Sequence, residues 1–179
     1  MAITRLGGAN AISGTIPQGN IANSSLGAVT ALPAGVGGKV LQVVQGTELT
    51  SQTEITSSSY TDTGISATIT PSSTSSKILI YLTCQANTRN NSGNGSYTET
   101  KLLRGSTDIY STSNSGGYTY LFSVGGASSV DFWHLENTNY LDSPSTTSAT
   151  TYKHQARNGS GNYYRVKAGH LTLIEVSAW

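Results

Sequence analysis

The chain is punctuated about every ten residues by Gly, Ser, Asn or Pro, and the runs between are short and rich in Ile, Val, Thr and Tyr. That cadence leaves little room for helices, which need Ala, Leu, Glu and Lys in longer runs with apolar residues every three to four positions; no window supplies that pattern. Ser and Thr make up 51 of the 179 residues while charged residues are only 11%, so hydroxyls rather than ions keep the surface wet. The predicted fold is all-β, an antiparallel sandwich or jelly roll of roughly ten strands.

Two regions are distinguished. Residues 1–38 contain two prolines, many small residues and isolated apolar positions at Ile3, Leu6, Ile12, Ile16, Ile21, Leu26, Val29 and Leu32. Such spacing cannot enclose a core, yet it is too apolar for a solvated linker, so the segment is expected to be an extended arm ordered against a partner surface or copies of itself. Residues 39–179 form the expected head. KVLQVVQ reads as a mostly buried first strand, Ile65, Ala67 and Ile69 alternate on one face, Pro71 ends that strand, and KILIYLTCQA is the expected central strand. Trp133 is expected in the core, and Trp179 at an end of the sandwich or a subunit contact.

The ten Lys and Arg are scattered and the formal charge is +1, which argues against a nucleic-acid or anionic-membrane footprint. The opening MAITRLGGANAIS lacks a secretory core, and no apolar run approaches the roughly 18 residues of a membrane span, so the expectation is a protein made in the cytoplasm without membrane insertion. Cys84, the single cysteine, lies in an apolar strand and is expected as a small buried hydrophobe.

Chemistry is sparse. His134 and Glu136 alternate and should share a strand face that His154 or His170 could join, but the spacing is not that of a metal site, and Asp62, Asp108, Asp131 and Asp142 form no calcium loop. Asp131 and Glu136 have opposite parity and should point to opposite faces, against a paired-carboxylate hydrolase. There is no G-x-S-x-G elbow, and GVGG precedes a strand rather than a helix. No catalytic residue, cofactor or metal is expected. The positive feature is ten tyrosines against two phenylalanines. Tyr97, Tyr118, Tyr120, Tyr163 and Tyr164 flank the Asn-, Ser- and Gly-rich turns, where they could form a contact surface for sugar or protein. Equally, strand tyrosines such as Tyr118 and Tyr120 could pack cross-strand neighbours or line an oligomer axis.

The stretches MAITRLGGANAISGTIPQGNIANSSLGAVTALP, GKVLQVVQ, YTDTGISATITPSSTSSKILIYLT, KLLRGSTDIY, YLDSPSTTSATTYKHQ and LTLIEV, in that order, resemble virion structural proteins of marine and cyanobacterial tailed bacteriophages. The resemblance implies a trimeric, tumour-necrosis-factor-like jelly roll behind an N-terminal docking segment, displayed on the virion surface. A long repetitive shaft is missing, which favours a short knob. The implied partners are the chain itself, as a homotrimer; a tail, baseplate or capsid protein gripped through residues 1–38; and a host surface glycan or protein. Two roles fit: a short tail-fibre attachment protein, or a capsid decoration (cement) protein. A glycan-active enzyme or metal-dependent lectin is the distant alternative.

Overall fold

The computed structural model describes residues 40–90, 96–112, 119–121, 129–160 and 163–177. The chain divides into units 1–38 and 39–179, and only the second is described below. The expected arm, with Ile3, Leu6, Ile12, Ile16, Ile21, Leu26, Val29 and Leu32, lies outside the described residues, as do Tyr118 and Trp179.

Ten strands follow in order: β1 (Val40–Gln45), β2 (Thr53–Ile55), β3 (Thr61–Ile69), β4 (Lys77–Asn90), β5 (Ser96–Arg104), β6 (Thr107–Ser111), β7 (Thr119–Leu121), β8 (Val130–Asp142), β9 (Thr150–Ser160) and β10 (Tyr163–Val176). No helix occurs among the described residues, so none there is long and apolar enough to cross a membrane. The strands form two antiparallel five-stranded sheets. The first has the order β1-β10-β4-β8, with β2 also pairing β10; the second has the order β3-β9-β5-β6, with β7 also pairing β5. One core fills the space between them: Ile65 and Ile69 of β3, Ile78, Ile80 and Leu82 of β4, and Leu171 and Leu173 of β10 are all buried there. Alternation creates this core. From Ile65 to Ile69 in β3 and from Ile78 to Ala86 in β4 every second residue is apolar and faces inward, and each buried Ile or Leu contributes about 1.5–3 kcal/mol by leaving water.

Three sequence expectations change. First, NYYRVKAG and HLTLIEV are one strand rather than two, because β10 is bulged between Lys167 and His170. The extra residue moves the inward phase from Tyr164 and Val166 to Leu171 and Leu173, so period-two reading breaks there. Ala168 takes φ 48°, and Gly169 is packed so tightly that an added Cβ would lie 2.5 Å from the Cys84 Cβ and 2.6 Å from Ile65 Cδ1. Second, β1 is an edge strand with no fully buried residue: Val43 is 60% exposed. Third, Trp133 is not in the core but 45% exposed, because the odd-numbered residues of β8 face outward. The central position of β4, the inward face of Ile65, Ala67 and Ile69, and the burial of Cys84 agree with the sequence reading.

Candidate functional site

Of the tyrosines named from the sequence, Tyr163 and Tyr164 lie on β10 of the first sheet, and Tyr97 and Tyr120 on β5 and β7 of the second. Tyr164 is fully buried and Tyr163, its neighbour, points to the opposite side of β10, as adjacent strand residues must. The surface role expected for Tyr164 is therefore corrected: it is a core residue. Tyr163 is largely covered by charged neighbours. Its hydroxyl donates to Asp131 (3.2 Å) and accepts from Arg89 (3.2 Å), and the Arg165 guanidinium lies 3.7 Å from its ring centroid. Tyr97, on the second sheet, is half-buried with its ring so close over Gly159 that a Cβ there would fall 1.8 Å from a ring carbon. Tyr120 is set opposite Tyr97 by the β5–β7 register.

His134 and Glu136 do share the inner face of β8, and His154 of β9 reaches Glu136 from the other sheet; His170 lies on β10 facing away. Glu136 is the centre of a buried polar cluster. Its Oε1 accepts from Thr100 Oγ1 of β5 (2.9 Å) and its Oε2 accepts from the Tyr164 hydroxyl of β10. The His154 Nε2 stands 3.4 Å from Oε1. On the other edge of the ring, the Thr63 hydroxyl lies 3.1 Å from Nδ1 and 3.0 Å from the His154 carbonyl oxygen. Burial alone would raise the pKa of Glu136, but the hydrogen bond and charge of His154, with the Tyr164 and Thr100 hydroxyls, outweigh it and bring it to about 2. Burial, with the Glu136 charge beside it, pushes the Cys84 thiol up, so it stays protonated and unreactive.

The other buried acids are also engaged. Asp142 of β8 accepts two bonds from Arg104 Nη1 of β5 (both 2.9 Å) and one from the Tyr152 hydroxyl of β9 (2.7 Å). Glu99 binds the Tyr60 hydroxyl (3.0 Å) and the Arg157 guanidinium (2.6 Å). Glu175 holds the turn after β3 through the Ser72 amide and hydroxyl, both at 2.7 Å. These carboxylates stitch strands and sheets together. Among the described residues, no group of three or more His, Cys, Asp or Glu is placed to hold a metal ion.

The outer face of the first sheet is different. One rung runs Val43, Ile174, Leu79, Leu141 across β1, β10, β4 and β8, an apolar row the width of the four-strand path. Leu41 flanks it, and Val43 and Leu141 are more than half exposed. Further along β8, the same face carries Leu135 (63% exposed) and Trp133. Sequence reasoning missed this surface. The signal was present in the odd-numbered apolar residues of a strand whose even-numbered residues include His134, Glu136 and Asp142, but an aromatic and two leucines naturally read as core. No protein-family model matches this chain, and no curated protein matches it.

Proposed function

We propose that this protein is a non-enzymatic structural component of a bacteriophage virion, a homotrimeric jelly-roll knob that docks through residues 1–38 and acts as a short host-attachment protein on the virion surface. The phage setting rests on the sequence resemblance. The jelly roll is supported by the strand order: eight principal strands divided as 1-10-4-8 and 3-9-5-6 match the double Greek key expected of that architecture. The observation that carries an assembly role is the exposed apolar rung of Val43, Ile174, Leu79 and Leu141, since a contiguous apolar patch on an otherwise hydroxyl-rich surface marks an interaction site.

Sedimentation equilibrium of the full chain should give three chain masses, and Val43→Asp with Leu141→Asp should give one. A monomeric wild type at tens of micromolar removes the trimer. Antibody labelling of purified virions then separates the roles: label at the tail supports attachment, label over the shell makes this a cement protein, and unlabelled particles remove the virion assignment.

A further inference from the structure

The charged end of the same outer face has a construction that the trimer reading leaves unused. The rung Arg165, Asn87, Trp133 crosses β10, β4 and β8, and Lys167 sits one outward position further along β10. The described arginines, with Lys101 and Lys153, each face a carboxylate: Arg89 meets Asp131, Arg165 meets Glu54, and the others are paired likewise. Lys167 instead lies over the Trp133 ring, its ammonium 4.5 Å from the centroid. Because Trp133 and Lys167 belong to strands on either side of β4, this contact spans the outward side of Asn87. Asn87 is fully buried, and neither its amide nitrogen nor its amide oxygen has a hydrogen-bond partner. A buried unpartnered amide is costly and rare, and here its cross-strand neighbours are Arg165 and the half-exposed Trp133, whose ring Lys167 crosses β4 to meet.

The geometry points to a binding site for an acidic saccharide, with a uronic-acid-type ring stacked on Trp133, its carboxylate on Lys167, and its hydroxyls reaching the Asn87 amide once Lys167 lifts from the indole. The chemistry fits each part. An indole face packs the C–H face of a sugar ring; an ammonium without an acidic neighbour matches one carboxylate; and an amide offers both a donor and an acceptor, as a vicinal diol requires. Asp131 and Glu54 at the margins disfavour a dense polyanion such as nucleic acid while leaving room for isolated carboxylates. The proposal deepens the attachment reading and rests on it for its biological setting, but binding is measured on the purified chain and so fails or succeeds independently of where the protein sits on a particle.

The test is calorimetric titration of the full chain with a galacturonate trisaccharide and with the neutral galactose trisaccharide, alongside the Asn87 side-chain amide signals in nitrogen-15 spectra. The acidic sugar should bind and shift those signals, and the neutral one should bind about tenfold more weakly. Trp133→Ala should abolish binding and Trp133→Phe should preserve part of it; Lys167→Gln should weaken the acidic sugar about tenfold and leave the neutral one unchanged. All three positions lie on the outer face, and unchanged melting temperatures will show that the variants fold. Equal affinity for both sugars, or no heat from the galacturonate at about 10 mM, overturns the proposal.

Discussion

The two faces of β8 invert the usual arrangement. Its inward side chains include His134, Glu136 and Asp142, and its outward ones include Trp133, Leu135 and Leu141. Inside, each acid is answered from the opposite sheet, Glu136 by Thr100 and His154 and Asp142 by Arg104 and Tyr152. Outside, the apolar residues have no covering layer among the described residues. A strand with this division holds its own fold together by polar bolts and keeps its hydrophobic side for something else. The inner face therefore bears on stability and the outer face on recognition, and substitutions on the two sides should have separable effects.

The largest effect belongs to Glu136. Glu136→Leu removes the carboxylate beside the buried His154 ring together with the acceptor for Thr100 and Tyr164, and should cost about 3–5 kcal/mol in chemical denaturation. The double variant Glu136→Leu with His154→Leu should lose less than Glu136→Leu alone, because no buried imidazole is then left facing an apolar side chain. A double variant worse than the single one would show that His154 stabilises the fold through contacts other than Glu136, such as that with Thr63.

Acid should reproduce part of that loss without mutation. The folded pKa of Glu136, about 2, lies below its ordinary value of 4.5, so its contribution is fully present above about pH 4.5 and declines as pH falls towards 2. The decline amounts to roughly 3 kcal/mol for this group. Melting temperatures of wild type and Glu136→Leu between pH 6 and 2 should converge, and curves that stay parallel would falsify the assignment of that acid sensitivity to Glu136.

Tyr152→Phe is milder. Asp142 keeps both bonds from Arg104 when the phenol is removed, so the expected loss is roughly 1.5 kcal/mol, read as a lower denaturation midpoint with an unchanged slope. Burial, reinforced by the hydrogen bond and charge of Asp142, pushes the Tyr152 phenol up, so it remains a donor throughout the working range.

How much of this was legible in the sequence follows from the same physics. The alternation of Ile65, Ala67 and Ile69, the apolar density of β4 and the opposite parity of Asp131 and Glu136 depend only on the two-residue period, and they appear in the structure as read. The single strand β10 was obscured by its bulge at Ala168 and Gly169, where the period slips by one. Trp133 and Tyr164 were misassigned for a shared reason: parity says that residues lie on opposite faces, but not which face is covered. Only the partners across the sandwich decide that. The meeting of His134's strand mate Glu136 with His154 was a visible possibility, whereas the roles of Tyr164, Thr100 and Thr63 in that cluster depend on register between distant strands and left no local trace. Tyr97 and Tyr163, named together from the sequence, belong to different sheets, which no local pattern reveals.

The smallest effect on stability, and the sharpest test of the inversion, comes from Leu141. It is adjacent in sequence to Asp142, yet it faces the other way and is half exposed. Leu141→Asn removes a leucine from a strand of high β-propensity, a change that in a covered position would cost several kcal/mol; on this bare face the unfolding free energy of the isolated chain should move by no more than about 0.5 kcal/mol. Asp142→Leu, one residue along, exchanges polar for apolar in the conventional direction and should nevertheless destabilise, since it strands Arg104 and the Tyr152 hydroxyl. The pair is best compared by denaturation at low protein concentration, where self-association does not contribute. A costly Leu141→Asn under those conditions would mean that the outer row is already covered within one chain, and the apolar face would then belong to the fold rather than to a partner.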